Sequence, residues 1–144
     1  MNKMLQYLFF CCAVLSLTLP LCGNALADNG ELAGYWDDTT SGRCHMKCAY
    51  LGGGSYEITV DWADSAFVNN RWMFSVQRKE GESSMPYEEG EYVVRKSDDG
   101  GKGIHESLVY GDGTGRIFLS NGRLFWKDGK DNICRDCVFS RVKR

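Results

Sequence analysis

The stretch Tyr56-Glu57-Ile58-Thr59-Val60-Asp61-Trp62 alternates without a break. Tyr56, Ile58, Val60 and Trp62 fall on one face of an extended chain, and Glu57, Thr59 and Asp61 fall on the other. That is the period of a strand with one buried face. Downstream, Trp72, Phe74 and Val76 repeat the pattern; upstream, Cys44, Met46, Cys48 and Tyr50 form a same-face row opposite His45 and Lys47. Further extended runs cover 91–96, 104–110, 115–119, 123–127 and 137–142, and Gly34-Tyr35-Trp36 opens the series.

Turn residues separate these runs at short intervals. Gly52-Gly53-Gly54, Asp98-Asp99-Gly100-Gly101 and Gly111-Asp112-Gly113 each read as a turn. Asn121-Gly122 is the sharpest signal, because both central positions of a type I′ hairpin need positive φ. The segment from Gly81 to Gly90 reads as the least regular connection, a mobile loop. Eight or nine sequential strands then suit a single small antiparallel up-and-down β-barrel, which also removes exposed sheet edges. Tyr56, Trp62, Trp72, Phe74 and Trp126 are the expected core aromatics.

The chain has 144 residues, with 17 basic and 19 acidic side chains and a net charge of −2. No positive field exists to attract nucleic acid. Residues 1–27 read as a signal peptide. Lys3 supplies a positive start, the run from Leu8 to Leu19 is apolar, and Ala25-Leu26-Ala27 offers small residues for cleavage. The apolar run is too short to span a bilayer. Residues 28–144 are therefore expected to form one exported domain, periplasmic or secreted and monomeric. Lipid attachment at Cys22 is the alternative, weakened by the bulky Leu21 before it.

Four cysteines remain after such cleavage: Cys44, Cys48, Cys134 and Cys137. In an oxidising compartment an even number reads as disulfides. Cys44 and Cys48 lie about 13 Å apart along one strand, too far to bond each other. Antiparallel pairing keeps the sum of partner numbers nearly constant, which predicts Cys44–Cys137 and Cys48–Cys134, with the swapped pairing as the alternative. A zinc site would want each cysteine pair on a tight turn, and Cys44 and Cys48 sit in a strand. No metal or cofactor is expected.

The order of Gly34-Tyr35-Trp36-Asp37, Ser41-Gly42-Arg43, the Tyr56–Trp62 stretch and Arg71-Trp72-Met73-Phe74 resembles that of an uncharacterised family of small exported bacterial β-barrel-like proteins. The later Asn121-Gly122-Arg123-Leu124-Phe125-Trp126-Lys127-Asp128 and Asp136-Cys137-Val138-Phe139 extend the resemblance along the chain. Many members are lipoprotein candidates. The resemblance implies a compact barrel outside the cytoplasm and brings no catalytic residues. The opening Gly-x-Trp is similar in shape to lipocalin and avidin-type barrels, and Phe125-Trp126-Lys127 to periplasmic lysozyme inhibitors.

No catalytic set emerges. His105-Glu106-Ser107 holds the residue types of a triad, but neighbours on a strand point to opposite faces. His45 faces away from Cys44 and Met46. The expected function is a non-catalytic binding module that holds a small ligand or docks a protein. Trp36, Trp62, Trp72 and Tyr92 are its candidate ligand-binding aromatics at the barrel mouth. An inhibitor of an extracellular or periplasmic enzyme such as a lysozyme is the alternative, with acidic loops at Glu80-Gly81-Glu82 and Glu88-Glu89. An exported hydrolase is the third reading.

Overall fold

The computed structural model describes residues 29–98 and 103–144. The expected signal peptide, Cys22 and Asp99, Gly100 and Gly101 of the expected turn lie outside this range. Eight strands follow in chain order: β1 (Gly34–Asp38), β2 (Cys44–Gly52), β3 (Ser55–Ala63), β4 (Val68–Gln77), β5 (Ser84–Ser97), β6 (Ile104–Ser120), β7 (Arg123–Asp128) and β8 (Phe139–Val142). Each pairs antiparallel with its chain neighbours, and β8 returns to β1 to close the barrel. Among the described residues no helix is long and apolar enough to cross a membrane.

The alternating faces of the sequence set the register. Met46 pairs with Val60 and Cys48 with Ile58 across β2 and β3; Val60 pairs with Trp72 and Ile58 with Phe74 across β3 and β4. Inward-facing apolar side chains therefore meet on three consecutive strands. Trp36, Tyr56, Trp72, Phe74, Trp126 and Phe139 are all buried, so the interior is filled by aromatic side chains. Leu32 plugs one end: its N–H donates to the Tyr56 hydroxyl, and its carbonyl accepts the Trp36 indole N–H at 3.0 Å. Arg141 lies over the Trp36 ring at 4.4 Å and donates to the Ala33 carbonyl, tying β8 to the same end. The buried Arg78 adds its guanidinium there, donating to Glu31 at 2.8 Å.

Asn121 and Gly122 both have positive φ, at 50° and 73°, and join β6 to β7 as the hairpin signal requires. Gly52-Gly53-Gly54 turns the chain from β2 into β3 as expected, whereas two other stretches need correction. Ser84 to Gly90, read as loop, belongs to β5, and Gly111-Asp112-Gly113, read as a turn, lies inside a continuous β6 of 17 residues. Gly90 and Gly113 serve close approach instead. Gly90 pairs with Gly113, and a Cβ on Gly113 would stand 2.8 Å from the Gly90 carbonyl oxygen. A Cβ on Gly115 would overlap the Lys127 carbonyl and the Tyr87 hydroxyl. Gly115→Ala is therefore expected to lower stability by about 1–3 kcal/mol, read as a shifted urea midpoint.

The predicted disulfides Cys44–Cys137 and Cys48–Cys134 are not formed. Cys134 bonds Cys137 instead, with Cα atoms 5.0 Å apart, and Cys44 and Cys48 are buried thiols. The expectation assumed that β2 runs beside the C-terminal strand, but β1 lies between β2 and β8. Cys134 and Cys137 precede β8 in a tight turn, where Cys134 takes a φ of 57° and its carbonyl accepts the Cys137 N–H.

Candidate functional site

Two of the four candidate aromatics meet. Trp72 and Tyr92 are neighbours across β4 and β5, and their rings stack at 4.6 Å with planes 4° apart. Trp72 donates its indole N–H to the Tyr110 hydroxyl at 3.2 Å, and that hydroxyl donates to Asp131. Tyr92 donates to Asn70 at 2.8 Å. Burial first, then the Asp131 and Asp64 carboxylates, pushes the Tyr92 hydroxyl above its ordinary pKa. The pair is thus built into a hydrogen-bonded wall and stays neutral. Trp62 is half-buried beside Asn70 in the register, whereas Trp36 lies three strands round the wall, under Arg141.

The histidines stand apart from nucleophiles. His45 Nδ1 is 2.8 Å from Asp37 Oδ1, a carboxylate it shares with Arg144. His105 Nε2 is 3.4 Å from Asp98 on the outside. Among the described residues no hydroxyl or thiol bonds either imidazole. The four cysteines do not converge on one point. Cys44, Cys134 and Cys137 place their sulfurs within 4.8 Å of one another, and Cys48 lies outside that group. Burial pushes the Cys48 thiol up to about 12.

A second region was missed by the sequence reading. β6 has 17 residues and β7 only six, so β7 can cover only Gly115 to Ser120. Residues 104–113 pair with β5 alone among the described residues. Successive pairs Tyr92–Tyr110 and Val93–Leu108 leave Val109 as an extra residue, a bulge that bends β6 away from the wall. No strand covers the outer side of this segment among the described residues; Asp131 and Lys130 reach Tyr110 and Asp112 at its far end, and over 104–109 it is an open sheet edge, where alternate residues aim N–H and C=O groups outward. Ile104, Leu108 and Val109 on it, and Phe67 at the β3–β4 turn, are each more than half exposed. The adjacent Leu108 and Val109 break the alternation, and that break was the available signal.

Beside this edge lies a cleft of about 350 Å³ lined by Phe67, Val68, Asn69, Arg95, Lys96 and Ile104, among others. The Asn69 side-chain oxygen is buried and accepts no hydrogen bond among the described residues. Arg95 is paired with Glu106 at 2.7 Å. The cleft therefore combines apolar walls, a cationic rim and one buried acceptor. Comparison with known protein families, with curated proteins and with solved structures gives no match. The fold defines the chain as a closed eight-stranded antiparallel barrel with one strand extended beyond the ring.

Proposed function

We propose that this domain is a non-catalytic docking module whose exposed β6 edge accepts an extended segment of another protein. The observation that carries the reading is the stretch 104–109, paired on its β5 side alone among the described residues, with Ile104, Leu108 and Val109 exposed along it. A strand laid against this edge gains main-chain hydrogen bonds, and side-chain pockets give selectivity. The cleft suits an apolar side chain between Phe67 and Ile104, a carboxylate toward Lys96 and an N–H donor for Asn69. The partner segment is thus apolar and acidic in composition. The filled interior favours this over a ligand held inside the barrel.

A displayed library of random twelve-residue peptides provides the test. Apolar and acidic extended sequences should be enriched on the wild-type protein and absent on a Leu108→Lys, Val109→Lys variant. Both positions are exposed, so the variant should keep its stability within about 0.5 kcal/mol. Equal enrichment on both proteins would sink the proposal.

One observation favours the inhibitor reading as a second. Glu57, Glu88, Glu89 and Glu91 line a single surface cleft across β3 to β5, and Glu89 is held there at a φ of 56°. Four carboxylates on a rigid wall suit a basic enzyme such as a lysozyme. A muramidase assay at large molar excess of the protein checks it, and full residual activity would remove this reading.

A further inference from the structure

We propose that Cys44, Cys134 and Cys137 form a thiol–disulfide exchange site, in which the loop disulfide migrates onto Cys44 and staples β2 to the segment before β8. The three sulfurs lie within 4.8 Å of one another, and all three residues are buried. Cys44 is a thiol adjoining a disulfide, so the attacking and the attacked groups share one pocket.

The convergence does not depend on the existing bond. The loop before β8 is fixed to the β1–β2 turn by contacts that involve no sulfur. Asp38 accepts the Val138 N–H at 3.0 Å, and the Val138 carbonyl accepts the Thr39 N–H and hydroxyl. The Asp136 carbonyl accepts the Thr40 hydroxyl at 3.2 Å. Breaking Cys134–Cys137 therefore leaves both sulfurs facing Cys44.

The step balances within the chain. Cys44 loses its proton, and the thiolate attacks one sulfur of the Cys134–Cys137 bond. A new S–S bond forms as the old one breaks; the other sulfur leaves as a thiolate and takes up a proton. No oxidant or reductant is consumed, and two of the four described cysteines remain thiols. The product links residues far apart in sequence, whereas the starting bond closes a turn with a separation of 3.

Deprotonation of Cys44 sets the pace. Burial, then the charges of Asp38 on β1 and Asp61 on β3, raises its pKa well above that of a free thiol. Arg71 pairs with Asp61 at 2.8 Å, and Arg135 and Asp136 of the loop are exposed. The exchange is therefore slow near neutrality and should speed up about tenfold per pH unit as the thiolate fraction grows.

Full-length protein is held folded at about pH 7 and about pH 9, quenched in acid, denatured, alkylated and mapped by mass without reduction. The expected result is a Cys44-containing disulfide that replaces part of Cys134–Cys137 faster at the higher pH. Cys48 should remain alkylated throughout. An undiminished Cys134–Cys137 link with Cys44 alkylated at both pH values would overturn the proposal. In a Cys44→Ala variant, migration of the bond to Cys48 would overturn it as well, since that route requires unfolding. Near-UV circular dichroism confirms that each sample stays folded.

Discussion

Trp126→Ala is expected to lower the unfolding free energy by about 3–5 kcal/mol, the range for emptying a large aromatic site in a closed core. Domains of this size are stable by only about 5–15 kcal/mol, so this one change threatens folding itself. Trp126 is almost fully buried, lies edge-on to Trp72 at 5.4 Å and neighbours Phe74 at 6.0 Å. Its indole N–H donates to the Tyr87 hydroxyl at 3.0 Å, so truncation also strips a buried hydroxyl of its donor. Trp126→Phe isolates that second loss and should cost less. Urea unfolding followed by far-UV circular dichroism measures both. A loss below about 1 kcal/mol for the alanine variant would mean that the interior tolerates a void, and the internal-ligand reading would regain ground.

Asp38→Ala should cost about 2–4 kcal/mol through stranded donors rather than lost packing. The buried Asp38 carboxylate accepts the N–H groups of Thr40 and Ser41, the Ser41 hydroxyl and the Val138 N–H. It is the joint between the β1–β2 turn and the segment that leads into β8. Burial opposes its ionisation, but the donors from Ser41, Thr40 and Val138 outweigh this and hold its pKa below the ordinary value. The sign of the pH effect follows. Between the folded and unfolded pKa values the unfolded chain binds more protons, so stability rises with pH. Asp38's contribution is therefore present above about pH 4 and lost as pH falls through the lower, folded value. Urea midpoints should rise more steeply from about pH 2.5 to about pH 6 for the wild type than for Asp38→Asn. Parallel curves would show that other carboxylates govern acid unfolding.

The wall of the barrel was legible because its signal is local. Tyr56 to Trp62 alternates without exception, and Asn121-Gly122 requires a turn that no other pairing accommodates. Glycines at 90 and 113 carried the opposite lesson. A glycine that permits two backbones to approach has the same one-letter signature as a glycine that turns the chain, and only the partner strand distinguishes them. The cysteine pairing failed for a related reason. Spacing along β2 correctly separated Cys44 from Cys48, but the identity of the neighbouring strand is a property of the closed ring. The open β6 edge was hidden in a mismatch of lengths. Nothing within residues 104–110 states that β7 is too short to cover them.

The ring closes through β1 and β8, whose joint includes a hydrogen bond between residues separated by 100 positions. Every other strand pairing joins neighbours in the chain, so hairpins β2 to β7 can assemble in the order in which they are made. β1 cannot. Its second partner, β8, is made only after β2 to β7, and closing so long a loop carries the largest entropic cost of any pairing here. A ribosome that stops before Phe139 would release an open sheet with the β1 and β7 edges both bare and Trp36 stripped of Arg141. Synthesis of β8 is thus the step that seals the barrel, because only a chain that has reached it can cover its own first strand.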